Sequence, residues 1–343
     1  MKRFSLPLLL LCIFALQIVN AQPPSVDRVK FFNDTSTINA TIITNTSKLF
    51  KNNKQGVILP ASFVTTLPDG TSVNDEIQME IRGHFRHDYC YVPPLKLIFK
   101  NNKASVLSSL KSLKLVNECK LSRQYDQYLM KEFIAYKIYN LLTDMSFRVR
   151  LLNVSFQDSG GKKKPITEHA FLLEDIKEVA KRNDCAEWKK PNLVTEATNR
   201  KQMTMVAIFE YFIGNTDWAV PVNHNTRLIY SLKDSLLRPF VVPYDFDYSG
   251  IVNTEYAVPD ERLGIENVQE RLYRGYPRTM EEVNEALDIF KQQKEKIYAT
   301  INNFDLLNPS SKKDLTLYLD AFYETIKDPR SVKSVFIDNA RTQ

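Results

Sequence analysis

Residues 241–250, Val-Val-Pro-Tyr-Asp-Phe-Asp-Tyr-Ser-Gly, decide how the rest of this chain is read. An apolar run delivers Asp245 and Asp247, whose spacing points both side chains the same way from a strand, and a Ser-Gly turn follows. Two hard carboxylates at a strand end suit Mg²⁺ or Mn²⁺, or a nucleophile. A strand end with two solvated acids is the plainer reading, so the surroundings have to decide.

Upstream lies Ile213-Gly-Asn-Thr-Asp-Trp-Ala-Val-Pro-Val-Asn-His-Asn225. Residues 199–213 carry a strong helical pattern that Gly214 halts, and Pro221 holds the following loop open. An aspartate just past a helix, with an asparagine eight residues on, suits a phosphoryl-transfer loop. Asp217 would orient an attacking hydroxyl or accept its proton, and Asn225 would ligate a metal, with Asn223 as its competitor. Ordinary turn capping by Asn215 and Asp217 is the alternative. The interval to Asp245 holds two strand-like runs, 226–230 and 238–247, which would bring both acids to one cleft.

The third constellation is Arg82-Gly-His-Phe-Arg-His-Asp-Tyr-Cys-Tyr-Val-Pro-Pro-Leu-Lys-Leu-Ile-Phe99. Alternation puts Leu95, Leu97 and Phe99 on one strand face and Lys96 on the other. Arg82, Arg86 and Lys96 bring positive charge to a sheet that would roof the cleft. Lys96 would meet phosphate, held by Glu132 from the helix at 122–142. A zinc set of His84, His87 and Cys90 is permitted by the spacing but shows no fourth ligand.

Outward from these motifs, residues 26–99 read as strands, with Pro68-Asp69-Gly70 as a turn. One long helix, two strands joined by the Gly160–Lys164 loop, and a mostly helical rear follow, with Pro309 and Pro329 as breaks. That order predicts an α+β, bilobal protein-kinase-like fold, with a strand-rich N-lobe at 22–180 and a mostly helical C-lobe at 181–343 carrying the catalytic and metal loops.

Residues 1–21 read as a signal peptide: Lys2 and Arg3, an apolar stretch from Leu8 to Leu16, and a small residue at Ala21. No later run is long enough to span a membrane, so no transmembrane segment is expected and the location is secreted or periplasmic. The net charge of +6 falls to +4 without Lys2 and Arg3, a modest and dispersed excess that gives nucleic-acid binding little support. Export permits disulfides, and Cys90 with Cys119 is the favoured pair, leaving Cys185 free. Asn33, Asn39, Asn45 and Asn153 begin glycosylation sequons.

The ordered set resembles the spore-coat CotH-type kinases, and more distantly the HipA-type kinases. The likeness spans roughly residues 80–255: the Arg82-Gly segment before a lysine strand, the Gly214-Asn-Thr-Asp217 loop and the Asp245-Phe-Asp247 strand end. It implies an atypical kinase that uses ATP and Mg²⁺ or Mn²⁺ to phosphorylate a protein hydroxyl. By position, Asp217 would be the catalytic acid-base residue, and Asp245 the principal metal ligand with Asn225 and Asp247 beside it. Lys96, Arg82 and Glu132 would serve the nucleotide. No Gly-x-Gly-x-x-Gly loop is present, and the loop from Asp217 to Asn225 is longer than the usual interval. A catalytically inactive binding or assembly protein of the cell surface or coat is the alternative. A dehalogenase-type phosphatase fits poorly, since mostly helical chain follows Asp247, and a nucleotide-sugar transferase lacks its alternating front half.

Overall fold

The computed structural model describes residues 28–51, 54–83, 89–99, 106–233, 236 and 238–341; the expected signal peptide and His84, Arg86 and His87 lie outside them. Strand-forming runs become β1 (Ile38–Thr44), β2 (Ile58–Thr66), β3 (Ser72–Ile81), β4 (Leu95–Phe99), β5 (Ser112–Asn117), β6 (Val149–Asp158) and β7 (Ile166–Leu173). Short helices α1 (Arg28–Asn33) and α2 (Thr46–Lys51) flank β1. In β2 and β3 buried and exposed residues alternate, as one wet and one dry face require. In β6 both faces are covered from Val149 to Leu152, and in β7 from Ala170 to Leu173.

Among the described residues these seven strands close a barrel in the order β1-β2-β3-β4-β5-β7-β6. All neighbours are antiparallel except β1 and β6, which run parallel from Ile38 opposite Leu152 to Thr44 opposite Asp158. The Asp158 carboxylate accepts from the Thr46 backbone at 3.2 Å and its hydroxyl at 2.9 Å, fixing the end of that seam. Ile42, Phe63, Ile77, Leu97, Leu115 and Phe156 fill the interior. Burying each such side chain contributes about 1.5–3 kcal/mol.

This closure overturns the expected bilobal kinase-like fold. The strand-rich front is a closed barrel and not an open N-lobe sheet, because β6 and β7 pair with β1 and β5 and complete the ring. Helix α3 (Arg123–Leu142), capped by the Ser122 hydroxyl accepting from Tyr125 N, does not serve as the helix of a separate front lobe. It packs on the outer faces of β6 and β7 and against the rear helices, and is buried on nearly every side after Leu129.

Behind the barrel come α4 (Ile176–Arg182, N-capped by Asp175) and β8 (Cys185–Glu187). Then follow α5 (Arg200–Ile213), β9 (Thr226–Ser231) and β10 (Phe240–Pro243). Strands β8, β9 and β10 form a second, three-stranded sheet in the order β10-β9-β8. The rear closes with α6 (Met280–Asn302), α7 (Pro309–Thr325) and α8 (Pro329–Lys333). Pro309 and Pro329 start helices, where the missing N–H costs nothing. Tyr136, Tyr139, Phe171, Phe209, Phe246 and Phe322 knit α3, β7, α5 and the rear helices into a second core. No helix among the described residues is long and apolar enough to cross a membrane.

Candidate active site

Helix α5 ends as its sequence dictates: Asn199 caps the start, accepting from Gln202 N, and Gly214 takes the left-handed conformation at the end. Asn215 Oδ1 then accepts from Asp217 N at 3.0 Å, an Asx turn that sets the aspartate's direction. The long interval to Asn225 is a closed turn, tied by two backbone hydrogen bonds between Ala219 and His224 at 3.0 and 2.9 Å. Asn223 and Asn225, at φ +52° and +49°, supply its two left-handed positions.

That turn folds His224 back onto the acid. His224 Nε2 lies 2.7 Å from Asp217 Oδ1, while the Asn225 amide donates to Asp217 Oδ2 at 2.9 Å and to its carbonyl at 2.8 Å. Both carboxylate oxygens are thus held, and the side-chain oxygen of Asn225 is left to act as a ligand. His224 appears in the sequence as one weak signal among several lone histidines; only the turn's closure gives it a partner.

Strand β9 starts directly after Asn225 and pairs with β10, Thr226 opposite Pro243, so Tyr244 N donates to Asn225 O at 3.0 Å. The two-strand interval does bring both acid loops together. The aspartates themselves lie past the end of β10, not on it. Asp245 sits at φ +68°, an unfavourable region for a residue with a Cβ, and its N–H donates to the buried Tyr136 hydroxyl at 2.8 Å. Asp247 is buried and accepts from the Tyr256 hydroxyl at 2.9 Å.

Asp217, Asn225, Asp245 and Asp247 line one cleft of about 460 Å³, and Arg82 and Lys114 line it with them. Lys96 does not line it. It pairs with Glu80 at 3.2 Å on the outer barrel face, bordering an adjoining cavity of about 230 Å³ with Arg82, Lys114 and Arg227. Glu132 is buried in α3 beside Asp247 and Tyr256, and Lys96 takes Glu80 as its partner.

Lys114 on β5 is the residue that sequence reasoning missed. Its Nζ stands 4.2 Å from the centre of the Tyr244 ring. Burial pushes its ammonium down to about 7, with Arg82 and Arg227 adding to the shift and Asp245 opposing it. Below the acid loop, burial pushes Glu210 up to about 8, against the Asn215 side chain and Arg274.

Cys90 and Cys119 form a disulfide, and Cys185 is free and buried, so Cys90 is no zinc ligand. A different set, Glu118, Asp126 and His169, brings ligand atoms within 4.8 Å of one another. Its imidazole is already bonded to Asp126 at 2.7 Å, which raises the His169 pKa.

No model of a known protein family matches the chain, and no curated protein matches it.

Proposed function

We propose that the protein is an exported, metal-dependent phosphotransferase that moves the γ-phosphoryl group of ATP to a protein hydroxyl, akin to the CotH-type kinases in its site motifs. The observation that carries this reading is a single cleft lined by Asp217, Asn225, Asp245 and Asp247 together with the cations Arg82 and Lys114. Asp245, Asp247 and the Asn225 side-chain oxygen supply this cleft with hard oxygen donors of the kind Mg²⁺ or Mn²⁺ takes. Such an ion, when bound, neutralises phosphate charge as it moves to the leaving group. Arg82 and Lys114 face the phosphates, and the adjoining cavity, with apolar Leu113, Phe147 and Leu173 beside Arg227, receives the nucleoside.

Asp217 orients the acceptor hydroxyl and takes its proton. The acceptor oxygen bonds to the γ-phosphorus as the bond from phosphorus to the bridging oxygen breaks, and ADP leaves. The disulfide supports an oxidising compartment outside the cytoplasm.

The test is phosphate transfer from labelled ATP by residues 22–343 with Mn²⁺ or Mg²⁺, wild type beside Asp245→Ala. Transfer abolished by the substitution is expected. Absence of both transfer and metal-dependent nucleotide binding would sink the reading. Nucleotide binding without transfer would leave a non-catalytic binding or assembly protein.

A further inference from the structure

All four glycosylation sequons fall on one stretch of the barrel wall, the parallel seam between β1 and β6 and its immediate flanks. Asn39 stands directly opposite Asn153 across the seam, and Thr41 opposite Ser155, so two sequons run side by side in register. Strand geometry points each asparagine and its hydroxyl residue the same way. Burial gives the direction. Ile38, Ala40 and Ile42 with Leu152, Val154 and Phe156 fill the barrel, which leaves both sequons on its outer face. Asn33 ends α1 just before β1, and Asn45 joins β1 to α2. In the ring order this seam lies across the barrel from β4 and β5, whose lysines border the cleft and its adjoining cavity.

The four amides are not equivalent. A sugar attaches through Nδ2, so an asparagine that uses only its Oδ1 in the fold keeps the reacting nitrogen free. Asn33 Oδ1 accepts from Arg148 Nη1, Asn45 Oδ1 from Lys48 N at 2.9 Å, and Asn39 Oδ1 from Asn153 Nδ2 at 3.1 Å. These three residues are exposed, and no hydrogen bond among the described residues engages their Nδ2. Asn153 is the reverse: it is half-buried and spends its Nδ2 on Asn39. An amide carbonyl accepts whether or not its nitrogen carries a sugar, so Asn39 can be modified and keep this bond. A sugar on Asn153 would sit on the nitrogen that makes it.

We infer that this seam is the glycosylated face of the protein, with N-linked oligosaccharides on Asn33, Asn39 and Asn45 and none on Asn153. The donor is an oligosaccharide carried on a polyprenyl diphosphate. Asparagine Nδ2 bonds to the anomeric carbon as that carbon's bond to the diphosphate oxygen breaks. The amide proton passes to a base of the transferase, and polyprenyl diphosphate leaves. Bulky, solvated chains on this wall close it to protein partners and leave the opposite wall, with its cleft, open. The inference rests on the export reading and is independent of phosphotransfer.

The full chain, residues 1–343, is expressed in cells whose secretory pathway performs N-glycosylation, and the secreted protein is treated with a glycan amidase in heavy-oxygen water. The amidase turns each sugar-bearing asparagine into a labelled aspartate, and peptide mapping reads the positions. Label is expected at Asn33, Asn39 and Asn45, and none at Asn153. Two variants separate the paired amides from ordinary differences in sequon use. Thr41→Ala destroys the Asn39 sequon but keeps that amide on Asn153, so label should vanish at Asn39 and stay absent at Asn153. Asn39→Ala removes the partner as well, and label should appear at Asn153. Both changes lie on the outer face, and unchanged Tm values confirm the fold. Label at Asn153 in the wild type, or equal label there in the two variants, overturns the pairing. A secreted chain without label at Asn33, Asn39 and Asn45 overturns the glycosylated face and leaves export and phosphotransfer standing. A chain retained in the cytoplasm overturns both the face and the export reading.

Discussion

The backbone N–H of Gly250 donates to the carbonyl of Gly214 at 3.0 Å, and this bond joins the two acid-bearing loops. Ile251 N adds a second tie to Ile213 O at 2.9 Å. The loops come this close because neither glycine has a side chain. A Cβ on Gly250 would run into the Val268 carbonyl and the Tyr318 hydroxyl. Gly250→Ala should therefore cost about 1–3 kcal/mol in urea unfolding and weaken metal binding with it. Gly160→Ala, in the exposed turn after β6, meets only the Asp158 carboxylate at 3.2 Å and should cost clearly less than Gly250→Ala. Equal effects from the two would refute the close-approach argument.

The clamp on Asp217 separates two roles. Removing the base with Asp217→Asn should lower kcat by about a hundredfold or more with little change in the nucleotide KM. His224→Ala leaves the carboxylate in place but frees one oxygen, so its kcat loss should be smaller. His224→Gln, which restores a donor, should recover part of it. Steady-state kinetics at fixed acceptor concentration reads all three, and a Gln variant no better than Ala would remove the positioning role.

Lys114 and Lys96, on neighbouring strands, make unequal predictions. Lys114→Met should raise the Kd for metal-free ADP by about tenfold, the loss of one charge-assisted contact. Lys96→Met removes an exposed pair with Glu80 worth at most about 1 kcal/mol to stability, and because Lys96 borders the nucleoside cavity but not the metal cleft, it should weaken ADP binding less than Lys114→Met does. Because the free Lys114 ammonium titrates near 7, ADP binding should take up a proton around neutral pH and weaken as the pH rises above it. Calorimetry in two buffers of different ionisation enthalpy counts that proton.

These two lysines also show where sequence reading stops. Leu95-Lys96-Leu97 and Leu113-Lys114-Leu115 are the same triplet, and the strands pair with Lys96 directly opposite Lys114. Nothing local tells which lysine lines the metal cleft; that Lys114 does and Lys96 does not is a tertiary fact. Barrel closure was hidden for the same reason, since Ile38 and Leu152 pair across more than a hundred residues. What could be read was local chemistry. Asn199 and Gly214 bracket α5, Ser122 starts α3, and the β9–β10 interval carries both aspartate loops to one place. Glu132 is assigned only from its place on the helix, and that place picks out no partner on a helix buried nearly all round.

Glu210 predicts a pH dependence of stability. It is fully desolvated, and burial raises its folded pKa from 4.5 to about 8. Between these values the unfolded chain has lost the proton and the folded chain keeps it. Stability should therefore be full below about 4.5 and fall as the pH rises through 8, by up to about 1.4 kcal/mol per unit. Glu118, raised to about 7 by burial, acts in the same direction, as does His169 through its bond to Asp126. Lys114 works oppositely, but only above about 7. Urea midpoints measured from pH 5 to 8 should decline in the wild type and flatten in Glu210→Gln. An unchanged slope in that variant would show that Glu210 is ionised in the fold.

The Cys90–Cys119 bridge spans 29 residues and encloses the whole of β4 and β5, the strands that carry both lysines. It packs on Tyr125, whose hydroxyl, with Lys120, binds Glu255; the adjacent Tyr256 donates to Asp247. Removing the cross-link frees a loop of that size in the unfolded chain, a loss of roughly 3–4 kcal/mol on the chain-entropy account. The Cys90→Ser/Cys119→Ser double variant should therefore unfold at lower urea, and nucleotide-metal affinity should fall as Asp247 loses its buttress. Cys185→Ser, which breaks no bridge, should leave that affinity unchanged. If reduction lowered stability but left metal affinity intact, the bridge would act on the barrel alone and the tyrosine chain to Asp247 would carry no coupling.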